Sequence, residues 1–224
     1  MRVITFLFGG VCHQIADRCL VYDGRALPLC ARCTGTFLGF MLALIVLRLI
    51  ERGRPSGLPT GRTLALLAGL AGLWTADGIN SFVHLARGQA LYQPSSTLRL
   101  LTGIGFGLGL GTLLYPITQG VMWHNTEERP VLNRRWQRVV LLAAGGALAA
   151  LILLWRAAPW WLWLLLVSIA TLSTLATANG TLLVLLLRRE SRGERWWQML
   201  PWLALGAGMA LAEMAALATL RAAL

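Results

Sequence analysis

The sequence predicts an all-α fold: a polytopic membrane helix bundle of about six transmembrane helices, preceded by a short cysteine-rich segment. Three observations carry this. Hydrophobic residues make up 57% of the 224 and charged residues only 13%, about half the charged share that a soluble domain uses to cover its surface. Apolar runs near the twenty residues needed to cross a hydrocarbon core recur along the chain. All four cysteines fall in one polar stretch, VCHQIADRCLVYDGRALPLCARCTG, from Val11 to Gly35. A soluble alternative would have to bury almost every leucine in one core.

The spans follow in order. The first runs from Thr34 to Leu49, the second from Thr63 to Leu85, and the third from Leu98 to Met122. The fourth is Val139 to Trp155, the fifth Trp160 to Leu187 and the sixth Met199 to Leu220. Val3 to Val11 is too short to span; it reads as an interfacial or re-entrant helix, or as the first turns of a tilted one. No small-residue cleavage pattern follows MRVITFLFGG, so no signal peptide is read there. The organisation is one domain: a Cys/His-containing segment over residues 1–33 and the bundle over 34–224.

Arginine asymmetry sets the direction. The connection after span one carries Arg48, Arg52, Arg54 and Arg62; that after span three carries Arg129, Arg134, Arg135 and Arg138. That after span five carries Arg188, Arg189, Arg192 and Arg195. The opposite connections hold only Arg87 and Arg99, then Arg156. The richer set belongs in the cytoplasm. The reading is therefore a multi-pass inner (plasma) membrane protein with its cysteine segment extracytoplasmic. Arg2, Arg18, Arg25 and Arg32 in that segment count against this. Tryptophans mark both boundaries, with Trp155, Trp160, Trp161 and Trp163 at one and Trp123, Trp136, Trp196, Trp197 and Trp202 at the other. The net charge of +11 does not imply a nucleic-acid partner, because the basic residues sit at span ends and form no stripe interleaved with aromatics. The partner the composition requires is the lipid bilayer.

Gly103, Gly107 and Gly111 repeat every four residues on span three, and Gly35 and Gly39 do so on span one. Small faces of this kind let helix backbones approach closely.

Ionisable groups inside spans need a reason, since each costs about 2.5–3.5 kcal/mol on insertion scales. Asp77, Asn80, Ser81 and His84 share one helical face by their spacing. At 1.5 Å per residue from Arg62, Asp77 lies about 22 Å along its helix, in the outer third. Glu213 reaches a similar depth on span six, and Arg99 opens span three at the same surface. Three readings stand: an Asp77–Arg99 ion pair that fixes helix packing, a functional pocket, or independent, unrelated groups.

Cys30 and Cys33 form CARC directly before an apolar helix, where the helix dipole and Arg32 favour a thiolate. Four readings of the thiols stay open here: a metal site of Cys12, His13, Cys30 and Cys33, a ligand set that suits zinc; a structural disulfide; a redox relay pairing Cys30 with Cys33 and Cys12 with Cys19; or free thiols. Adjacent Cys12 and His13 would diverge by about 100° on a regular helix, so joint ligation needs a local distortion.

The run CHQ, an arginine a few residues on, LPLCARCTG, and then SSTLRLLTG resembles a prokaryotic membrane-protein family, domain-of-unknown-function family 2085. The pattern falls on Cys12, His13, Gln14, Arg18, Pro28, Leu29, Cys30, Arg32, Cys33 and Gly35. Its later block falls on Ser96, Arg99, Thr102 and Gly103, with Asp77 between. The resemblance covers about the first 110 residues. Cys19 stands where the family implies a serine, which disfavours the two-pair relay and favours metal. The family implies residues but no reaction.

The functional expectation is a membrane protein with a zinc, or other transition-metal, site at the extracytoplasmic face. Cys12, His13, Cys30 and Cys33 are its ligands, Asp77 a ligand-orienting group or general base, and Arg99 an anion-binding group. Such a site fits an enzyme acting on a lipid-borne or periplasmic substrate. The alternatives are a thiol–disulfide oxidoreductase using the CARC pair, and a transporter or structural subunit with Asp77 and Glu213 in a solute path.

Overall fold

The computed structural model describes residues 2–155, 157–189 and 193–223. Arg156 and Arg192, both used in the loop-charge argument, lie outside the described residues. The chain begins with α1 (Arg2–Gly9), followed by the antiparallel hairpin β1 (Cys19–Tyr22) and β2 (Arg25–Cys30). Then come α2 (Ala31–Ile50), β3 (Pro55–Gly57), α3 (Gly61–Arg87), α4 (Ser96–Met122), β4 (Glu127–Pro130), α5 (Arg135–Leu154), α6 (Trp160–Leu186) and α7 (Leu200–Ala223).

The six expected spans correspond to α2 through α7. Five of them, α2, α4, α5, α6 and the α7 segment, are long and apolar enough to cross a membrane. The exception is α3. At 27 residues it has the length, but Thr75, Asp77, Asn80, Ser81 and His84 dilute its apolar character. Its outward face is still greasy, with Leu73, Ile79, Phe82 and Leu85 exposed, while Asp77, Asn80 and Ser81 turn inward and are buried. α1 is short, as expected, and packs on α7 with Phe8 buried.

The bundle's centre is the contact of α2 with α4. Both helices run in the same direction, and the glycines make the seam. A Cβ at Gly35 would stand 2.5 Å from the Leu100 carbonyl oxygen, and one at Gly39 2.5 Å from that of Ile104. From the other side, Gly103, Gly107 and Gly111 rest on the backbone at Arg32, Thr36 and Phe40. The four-residue repeat read from sequence is therefore a backbone-to-backbone interface.

The connections at one end of the bundle are tied by Glu51, whose carboxylate is buried just past α2. It accepts from the Leu132 amide (2.9 Å), Gln137 Nε2 (3.0 Å) and Arg129 Nη1 (2.7 Å). A buried carboxylate is tolerated only when fully bonded in this way. The opposite end holds the cysteines, the C-termini of α3, α5 and α7, and the N-termini of α2, α4 and α6. The tryptophan belts are split. Trp160 and Trp163 at the thiol end and Trp123 at the other are buried, whereas Trp155, Trp161, Trp136, Trp196 and Trp197 face outward.

Candidate metal centre

Asp23 and Gly24 join β1 to β2 with φ of 49° and 70°, the two successive positive values of a tight type I′ hairpin turn. That Asp-Gly pair was the signal for a hairpin that hydropathy alone passes over. The turn docks on the junction of α5 and α6. Tyr22 donates its hydroxyl to the Ile152 carbonyl at 2.5 Å, and Asp23 accepts from the Trp160 amide at 2.9 Å. The Trp160 indole donates to the Ala26 carbonyl at 3.1 Å.

The stretch before the hairpin is folded back by Gln14. Its φ is 51°, and its side-chain amide donates to the carbonyls of Thr5 (2.7 Å) and Pro28 (3.0 Å). Arg221, in the last turn of α7, closes over the same stretch. It donates to the carbonyls of Gly9 (3.2 Å), Cys12 (2.7 Å) and His13 (2.7 Å). Cys12 is thereby driven inward, where the Cys30 amide donates to its sulfur at 3.2 Å. Cys30 caps α2 and Cys33 lies in its first turn, so the CARC spacing places both thiols on one side of the helix start.

The result is a cluster of Cys12, Cys30 and Cys33 whose sulfurs all lie within 4.8 Å of one another. A tetrahedral zinc with bonds near 2.3 Å sets sulfurs about 3.8 Å apart, so the donor set and spacing fit a thiophilic ion. His13 does not join them. It is exposed: the chain leaves the turn after α1 at Cys12, whose amide still bonds the Phe8 carbonyl, and reverses at Gln14, so Cys12 lies inward and His13 outward. Cys19 pairs with Cys30 across the hairpin but gives its thiol to the Ile15 carbonyl at 3.3 Å. All four cysteines are free.

The thiols differ electrostatically. Hydrogen bonds received from Cys30 and then Cys33 pull the Cys12 thiol far below its usual range. Cys30, donating to Cys12, is pushed up. Burial, and then the charge of Cys12 and Cys30, push Cys19 up to about 11.

Asp77 is in this region, as expected, but its partner is different. Arg32, the residue between the CARC cysteines, makes the ion pair with Asp77 and also bonds the Ser81 hydroxyl at 3.0 Å. The second Asp77 oxygen accepts from the Tyr92 hydroxyl at 3.0 Å. Asn80 holds the α3–α4 connection through the Tyr92 carbonyl (3.0 Å) and the Leu91 amide (2.8 Å). With both oxygens engaged, Asp77 is placed to position Arg32. Arg99 makes neither a hydrogen bond nor an ion pair through its side chain among the described residues, and Arg32 takes the place at Asp77 instead. Glu213 is elsewhere. It is exposed on α7 and accepts from Asn179 of α6 at 3.0 Å, while α3 packs on α4. Among the described residues no hydrogen bond or ion pair joins it to Asp77.

Comparison with known proteins agrees with the motif reading. Residues 12–113 match the family described as "Predicted membrane protein (DUF2085)". The match begins at Cys12 and takes in the hairpin, α2, α3 and most of α4. An uncharacterized protein of Methanothermobacter thermautotrophicus is 27% identical over 111 residues, which are 50% of this chain and 90% of that one. No solved structure matches.

Proposed function

We propose that Cys12, Cys30 and Cys33 bind a zinc-class transition-metal ion at the extracytoplasmic face of the plasma membrane, leaving one coordination position open. The observation that carries this is the convergence of three sulfurs from two separate stretches of chain within 4.8 Å. The support is chemical. Thiolates are the ligands zinc prefers, and three of them with a free fourth position match a reactive site better than a closed structural one. When bound, such an ion supplies Lewis-acid polarisation of an oxygen at the open position. The chain's own residues hold the geometry: Gln14 and Arg221 keep Cys12 inward, and Asp77 fixes Arg32 beside the thiols. An open position fits an enzyme acting on a lipid-borne or periplasmic substrate. The extracytoplasmic assignment is supported by the arginine-rich connections at the opposite end of the bundle.

Metal quantification on protein purified without chelator tests this. One equivalent is expected in the wild type and in His13→Ala and Cys19→Ser, with loss in Cys12→Ser, Cys30→Ser and Cys33→Ser. A wild type free of metal, or three serine variants that keep it, overturns the reading.

A second reading is favoured by the same geometry: three free thiols lie within 4.8 Å of one another, close enough for two of them to pair. In thiol–disulfide exchange, two of the clustered thiols would close a disulfide while a disulfide of a partner protein is reduced to two thiols. Differential alkylation with and without reductant separates this from metal binding.

A further inference from the structure

Apart from Arg221, which is spent on backbone carbonyls, Arg18, Arg32 and Arg99 interact with one another and with Asp77 beside the thiols. Arg32 is neutralised by Asp77. Among the described residues, Arg18 has only a long contact of 3.4 Å to the Ser81 carbonyl. Arg99 is 6% exposed, and its buried Nε has no partner. Arg99 stands one turn before Gly103, which packs on the Arg32 carbonyl, so it lies level with the first turn of α2. It is in electrostatic reach of Arg18, Arg32 and Cys30. An unpaired guanidinium buried in an apolar bundle is costly, and chains keep such groups for a partner that arrives.

The helix directions add to this field. Because α2 and α4 are parallel neighbours, their N-termini, near Ala31 and Ser96, open at the same end. The dipoles of both point their positive ends at the region Arg99 occupies, and the Ser95 hydroxyl takes the Leu98 amide at the start of α4.

From this arrangement we propose that Arg99, with Arg18 and the paired starts of α2 and α4, binds an oxyanion of the phosphate class next to the thiol cluster. The charge excess suits a phosphate, and the planar guanidinium forks suit its oxygens. This deepens the thiol-centre reading, because it makes the substrate of that centre a phosphate-bearing molecule, either soluble or a lipid headgroup. The occupancy of the two sites is separable.

The test uses full-length protein in zwitterionic detergent. Thermal unfolding is followed against inorganic phosphate, with chloride at matched ionic strength as reference. A parallel series uses phosphatidylglycerol and phosphatidylcholine vesicles. A saturable stabilisation of the wild type is expected, weakened roughly tenfold or more in Arg99→Gln and in Arg18→Gln. Stabilisation by free phosphate identifies a soluble ligand, and stabilisation by phosphatidylglycerol alone identifies a headgroup. Without ligand, Arg99→Gln is expected to unfold no earlier than the wild type, since it removes an unpaired buried charge. Equal responses of wild type and Arg99→Gln, or unfolding of Arg99→Gln without ligand at a lower temperature, overturn the proposal. Cys30→Ser is expected to lose metal and keep the phosphate response, so failure of the metal reading leaves a different signature.

Discussion

Arg32, from its place between two cysteines of the thiol cluster, reaches across to the Asp77 carboxylate on α3 and couples the site to a neighbouring helix. Asp77 is essentially buried and Arg32 is 18% exposed. Removing one partner of such a pair leaves the other charge stranded. Asp77→Asn is expected to destabilise the protein by about 3 kcal/mol, the low end for a buried pair, because Arg32 keeps some contact with solvent. Arg32→Gln combined with Asp77→Asn is expected to recover a large part of that loss. Denaturant unfolding of the two single variants and the double variant measures the coupling directly; additive losses would contradict it.

The glycine seam separates two kinds of glycine. Gly107→Ala forces a methyl into the Thr36 carbonyl, and an overpacking loss of about 1–3 kcal/mol is expected. Gly72 on α3 has nothing within 4 Å of its Cβ position. Gly72→Ala is expected to be neutral or to gain up to about 1 kcal/mol from helix propensity. Melting temperatures of the two variants in one detergent should move in opposite directions.

Gln14 meets the Cys12 sulfur through its backbone amide, and its side chain fixes that stretch of chain through bonds to Thr5 and Pro28. Gln14→Ala is expected to weaken metal retention about 10-fold or more, as outer-shell substitutions do. Competition with a chromophoric chelator reads this out. Unchanged affinity would remove Gln14 from the site's support.

The thiols give a pH signature in metal-free protein. Cys12 titrates below its unfolded value, so its contribution to stability is present above the ordinary thiol range and is lost as pH falls through the folded value. Cys19 titrates at about 11 against about 8.5 when unfolded. Its contribution is intact below about 8.5 and disappears as pH rises toward 11. Thiolate absorbance at neutral pH is therefore expected in the wild type and absent in Cys12→Ser. Cys19→Ser should lessen the alkaline loss of stability between those two values.

Much of this was legible in the residues. Apolar length and arginine placement locate α2 through α7 to within a few residues, because hydrocarbon thickness and interfacial charge act on sequence directly. The arrival of Asp77 and the cysteines at one end follows from counting spans. The pairing did not follow. Spacing gives a side chain's depth and direction on its own helix but not which neighbour stands there, so Asp77 was matched to Arg99 when Arg32 faces it. The glycines of α4 announced a close contact without saying that α2 was the other side. Adjacency groups His13 with Cys12, and the turn between Phe8 and Gln14 separates their side chains. The hairpin escaped because a four-residue strand and a six-residue strand leave no mark on a hydropathy profile.

Where α2 meets α4 at Gly35, Gly39, Gly103 and Gly107, main chain rests directly on main chain, and there is little side chain to slip or re-pack. The two helices form one strut, and any breathing of the bundle has to hinge where contacts are made by flexible leucines. Leu70 of α3 against Gly105 and Leu108 against Gly145 of α5 are such places. Cys30, Cys33 and Arg99 ride together on the strut, while Cys12 is held to it from the α7 side and α3, carrying Asp77, stands on the other. Opening at this end along the Arg32–Asp77 contact would leave the Cys30–Cys33 spacing untouched.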